Sequence, residues 1–128
     1  MVVDTNIILR FLLDDDSDGK AELVLRKQHV TVTDMVISEV LYVLTGKQYR
    51  HEKVLAVEAI TALLRLPNIT HQSDIGENYL HLYAVSGLDV TDCYLVCFCV
   101  QTKKTLMTFD KTMKRVYEQE LSKLHGCF

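Results

Sequence analysis

Short β-branched runs alternate with longer segments whose apolar residues recur every three or four positions, and this alternation spans almost the whole chain. Residues 1–4, 29–33, 68–71 and 105–109 read as strands. Helices are expected over 5–13, 20–28, 33–45, 51–66, 73–85, 91–102 and 111–124. Ile7, Ile8, Phe11 and Leu12 give the first its stripe. Thr33 or Asp34 caps the third and Gly46 closes it. The fourth stops before Pro67, because the residue preceding proline disfavours helix. Ser73 is the expected cap of the fifth. Strands separated by helices imply a mostly parallel sheet covered by helices, reached through right-handed crossovers.

Such sheets bind ligands outside the carboxyl ends of their strands. Two acids stand there: Asp4 closes Met1-Val2-Val3-Asp4-Thr5-Asn6, and Asp110 closes Thr105-Leu106-Met107-Thr108-Phe109-Asp110. Both are expected to project toward the same edge, although each also precedes a helix, where Asp is a favoured N-cap. Asp92 follows Asp89 by three residues, so Asp89 is a candidate cap and Asp92 occupies the position that reaches back toward the first amides. On a helix, Glu39 has Met35, Val36, Tyr42 and Val43 as its neighbours three and four residues away. An apolar face is a costly place for a carboxylate unless an arginine, a helix N-terminus or a metal compensates it, and no Lys or Arg lies within four residues of Glu39.

The four acids are best weighed as a set. Two like charges about 4 Å apart repel by roughly 4 kcal/mol at an effective dielectric near 20. Four gathered carboxylates would therefore hold some protons, unless a hard, oxygen-seeking Mg²⁺ or Mn²⁺ joins them. Such an ion polarises phosphoryl oxygens and acidifies bound water, which points to phosphodiester chemistry.

Composition narrows the field. At 128 residues, with 48% hydrophobic residues and a single proline, the chain reads as one domain, residues 1–128, with a sizeable core. No apolar run approaches a membrane span and no signal-peptide pattern opens the chain, so a soluble, cytoplasmic protein without membrane contact is expected. The net charge of −3 gives no global basic field. Any phosphate-binding surface must then be local: Lys103, Lys104, Lys111, Lys114 and Arg115 flank Asp110, and Lys47, Arg50 and Lys53 form a second cluster. Solvated faces explain both clusters equally simply. Cys93, Cys97 and Cys99 lie in a Leu/Val/Phe segment, as buried reduced thiols do. The histidines form no metal-ligand pair.

VVDTN at the N-terminus, ISEVLYVL around Glu39, GLDVTDCYLV around Asp92 and TLMTFDK around Asp110 together resemble the PIN domain. The chain is particularly similar to the VapC-type ribonuclease toxins of prokaryotic toxin–antitoxin modules. The resemblance implies an α/β fold, a three-layer α/β/α sandwich with a short parallel sheet of four or five strands. It implies endoribonuclease activity with Mg²⁺ or Mn²⁺ held by Asp4, Glu39, Asp92 and Asp110, and supporting roles for Thr5, Asn6 and Thr108. The expected partners are an RNA substrate, a cognate antitoxin and a second copy in a homodimer. Asp89 adds a fifth acid, read as a cap. The acidic run from Asp14 to Asp18 either repels RNA or attracts a basic antitoxin segment.

Three other functions compete. An aspartyl-nucleophile phosphohydrolase wants a second acid two residues after the first, where this chain has Asn6. A receiver-like module wants a lysine ending the last strand beside the pocket, and Lys111 only lies close. A catalytically inactive PIN-like interaction module keeps the fold without the chemistry.

Overall fold

The first apolar run supplies the edge of a small sheet. In a computed structural model that describes residues 1–15 and 18–126, Val2 forms a parallel bridge to Thr31, and the Thr31 amide donates to the Met1 carbonyl at 2.7 Å. Thr31 lies in β1 (Val30–Thr33), which pairs in parallel with β2 (Ile69–Gln72) in the register Val30–Ile69 to Thr33–Gln72. Two strands and one isolated bridge replace the four or five strands expected. Residues 105–109 form no strand, although their exposure alternates as an extended segment's does: Leu106 and Thr108 are half-buried, Thr105, Met107 and Phe109 exposed. A strand exists only by pairing, and the compact unit that contains this segment holds helices alone.

The chain divides into two compact units, residues 1–74 and 75–128. The first contains α1 (Thr5–Leu12), α2 (Lys20–Lys27), β1, α3 (Asp34–Leu44), α4 (Lys53–Leu64) and β2. Its core takes Ile8 from α1, Leu25 from α2, Val30 and Val32 from β1, Ile37, Val40, Leu41 and Leu44 from α3, and Ile60 from α4. Helix α1 packs on α2 and α3, while α3 and α4 form the crossover between the two strands and lie against β1 and β2 respectively. Asn68, just before β2, ties this unit together. Its side-chain amide donates to the carbonyls of Leu25 and Gln28, both at 2.7 Å, and so satisfies the C-terminal end of α2.

The second unit contains α5 (Asn78–Val85), α6 (Val90–Thr102) and α7 (Lys111–Gly126). Helix α6 packs against both others. Tyr79, Leu80, Cys93 and Val96 are fully buried, and Tyr79 meets Tyr94 edge-to-face at 5.3 Å. Helix α5 begins four residues later than a Ser73 cap would require. Gly76 has φ +74°, a left-handed conformation that helix cannot pass through, so the helix forms only after it. The other helices start and stop within two residues of their expected bounds. Part of the Asp14–Asp18 run, residues 16 and 17, lies outside the described residues. No described helix is long and apolar enough to cross a membrane.

Replacing Asn68 with alanine removes the donor from the part-buried bond to the Leu25 carbonyl and from the exposed one to Gln28. Stability should fall by about 1–3 kcal/mol, read as a lower urea midpoint at unchanged slope.

Candidate metal centre

Each of the four acids stands at or near the first turn of a helix, or faces one that does. Asp4 is the N-cap of α1: its Oδ1 accepts from the Ile7 amide at 3.3 Å. Asp110 precedes α7, and its Oδ1 accepts from the amides of Thr112 at 2.9 Å and Met113 at 3.0 Å. The capping expectation for both therefore holds. In each case the second oxygen, Oδ2, accepts no hydrogen bond among the described residues, so capping leaves a carboxylate oxygen for another ligand. The Asp110 amide is itself held by the Thr108 hydroxyl at 3.0 Å, a local turn at the end of the segment that reads as a strand in the sequence.

Glu39 differs from its expected setting. It is exposed, and so are its neighbours Met35 and Tyr42 at 77% and 79%. Helix α3 buries Ile37, Val40, Leu41 and Leu44, and Glu39 lies two residues from Ile37, roughly 200° around the helix. The apolar stripe flanking Glu39 is therefore open to solvent, and no desolvation penalty acts on this carboxylate. It is nevertheless held. The Thr5 hydroxyl donates to Glu39 Oε2 at 2.7 Å and links α3 to the first residue of α1, next to Asp4. Asn6 is exposed one residue further along α1.

In the second unit, Asp89 is the N-cap of α6, its Oδ1 accepting from the Asp92 amide at 2.9 Å, as read from the sequence. Asp92 is half-buried, and its carboxyl is raised above the usual range, first by burial and then by repulsion from Asp89 and from Asp110. Asp92 and Asp110 therefore sense each other's charge. Lys103, Lys104, Lys111, Lys114 and Arg115 are all exposed, available to phosphates.

The described residues contain no group of three or more His, Cys, Asp or Glu arranged as metal ligands. Within the first unit the geometry ties Glu39 to Thr5, the residue after Asp4, and within the second it sets Asp92 within reach of the charge of Asp110. The donor chemistry suits a hard divalent ion: every candidate is a carboxylate, two keep an oxygen without a hydrogen bond, and one is destabilised as an anion by its acidic neighbours. The thiols do not fit such an ion. Cys93, Cys97 and Cys99 are buried and form no disulfide among the described residues, and burial, then Glu120 and Cys93, push the Cys97 thiol up to about 11. One pair was missed in the sequence: His71 on β2 meets Asp34 at the start of α3 at 2.6 Å, at the carboxyl end of the two strands. Thirty-seven residues separate them and neither belongs to a local motif, so only the parallel register brings them together.

Asp92 carries a pH signature. Its carboxyl ionises less readily in the folded chain than in the unfolded one, so its favourable contribution is complete at low pH and is lost as pH rises through the raised folded value. Without divalent ions, Asp92→Asn should therefore melt higher than the parent at neutral pH, and the gap should close on acidification to about pH 4.

The chain matches the model of the PIN domain over residues 1–119, a span that includes all four acids. No curated protein and no solved structure matches it. With most of its length inside that match, the chain belongs to the PIN domain family, whose members are generally metal-dependent nucleases.

Proposed function

We propose that this PIN domain is a metal-dependent endoribonuclease, the toxin of a prokaryotic toxin–antitoxin module, working in the cytoplasm as a homodimer and kept silent by a cognate antitoxin. The chain acts as one domain, residues 1–128. The observation that carries the reading is the bond from Thr5 to Glu39, which ties one of the sequence-derived acids, across 34 residues of chain, to the residue that follows Asp4 at the start of α1. The family match and the mutual repulsion of Asp92 and Asp110 support it.

Asp4, Asp92 and Asp110 would hold a Mg²⁺ or Mn²⁺ ion, directly or through water. When bound, the ion supplies positive charge to the phosphoryl oxygens and lowers the pKa of water. The chain's own residues do the rest. The Thr5 hydroxyl occupies Glu39 Oε2, so Oε1 is the oxygen that orients the attacking water and accepts its proton. The cap bonds to Ile7, Thr112 and Met113 fix the Asp4 and Asp110 carboxyl groups in orientation. The exposed Lys111, Lys114 and Arg115 beside Asp110 attract the RNA backbone.

Purified protein should cleave structured RNA when Mg²⁺ or Mn²⁺ is present. Asp4→Asn should lower the rate by at least about 100-fold, as loss of a group aimed at developing charge does. Thr5→Val should lower kcat by about tenfold, the scale of a hydrogen bond to a charged group. Undiminished cleavage by Asp4→Asn, or by the parent protein in excess chelator, contradicts the reading.

A further inference from the structure

Helix α1 carries a second feature besides its cap. Asn6, Leu9, Arg10 and Leu13 follow the three- and four-residue spacing of one helical stripe, and together with Asp15 and Tyr49 they line a cavity of about 260 Å³, near the lower end of the ~300–1,000 Å³ range of ligand sites. All six residues belong to the first unit. Arg10 is exposed and forms no ion pair among the described residues. The Asp15 amide donates to the Arg10 carbonyl at 3.0 Å, after Asp14 has turned the chain with φ +55°, and this brings Asp15 back to the cavity wall. Tyr49 is half-buried, its hydroxyl accepts from the Gln48 amide at 3.3 Å, and its ring tilts against His51 at 6.3 Å.

We propose that this cavity is a single-nucleotide subsite for single-stranded RNA, continuous through Asn6 with the end of α1 that bears Asp4. The substrate class rests on the nuclease reading above; the subsite itself rests on the cavity. An aromatic ring with two leucines gives a base a face to stack on, whatever its identity. The Arg10 guanidinium pairs with a phosphate, and the Asn6 amide lies on the same stripe toward Asp4. Asp15 repels a phosphate, so the phosphate sits at the Arg10–Asn6 side, and the Asp15 carboxylate accepts from the ribose 2′-hydroxyl, the group that separates RNA from DNA. Arg10 lies six residues from Asp4, about 9 Å along the helix axis, which puts the bound nucleotide beside the scissile bond rather than at it.

The test is binding of a fluorescein-labelled single-stranded RNA, and of the DNA of the same sequence, in chelator so that nothing is cut. Tyr49→Ala should weaken RNA binding about tenfold, while Tyr49→Phe keeps it within about twofold. Arg10→Ala should weaken binding about fivefold and reduce the salt dependence by about 0.7 in log–log slope, one phosphate contact on a single strand. Asp15→Ala should reduce the preference for RNA over DNA. Melting temperatures of Arg10→Ala and Tyr49→Phe should match the parent. Parent-like affinity in both Tyr49→Ala and Arg10→Ala, or absence of RNA binding by the parent, overturns the subsite. The catalytic reading fails separately, if Asp4→Asn still cleaves.

Discussion

A carboxylate that caps a helix has one oxygen engaged by backbone amides and its charge partly offset by the helix dipole. Asp4 and Asp110 are both in that state. The arrangement holds each carboxyl group in one orientation and leaves its second oxygen without a hydrogen bond among the described residues. Asp92 shows what happens with less compensation. Its own amide bonds to Asp89, yet burial and the charges of Asp89 and Asp110 raise its carboxyl. Carboxylates that burial and like charge disfavour as anions are the ligand type a hard divalent cation takes.

Helices were far more legible in the chain than strands. The stripe of α1 included the buried Ile8, and the boundary before Pro67 followed from backbone sterics, whereas the buried face of α3, with Ile37 and Leu41, is not the one the sequence reading chose. Residues 105–109 carry a strand's composition and alternation, but a ladder depends on a partner that local sequence does not specify. The start of α5 was misplaced because Ser73 offers good capping chemistry, whereas the φ of Gly76 is a property of the folded turn.

The acids were legible as a set because each ends an apolar run or enters a helix, positions that topology makes meaningful. Glu39 was chosen for a reason the structure does not support. Its flanking residues Met35 and Tyr42 are apolar yet exposed, so the supposed burial is absent, and what singles Glu39 out is the hydroxyl of Thr5. The face carrying Met35, Glu39 and Tyr42 also shows that an apolar stripe read from sequence need not face its own core. The Asp34–His71 pair and the wall formed by Arg10 and Tyr49 arise from long-range register and loop return, which leave no mark in any short window.

The account is tested most directly by calorimetric titration of Mn²⁺ into the parent protein, Asp4→Asn and Asp110→Asn. It predicts that the parent binds Mn²⁺ and that each substitution weakens that binding. Absence of Mn²⁺ binding by the parent, or parent-like binding in both variants, would contradict it.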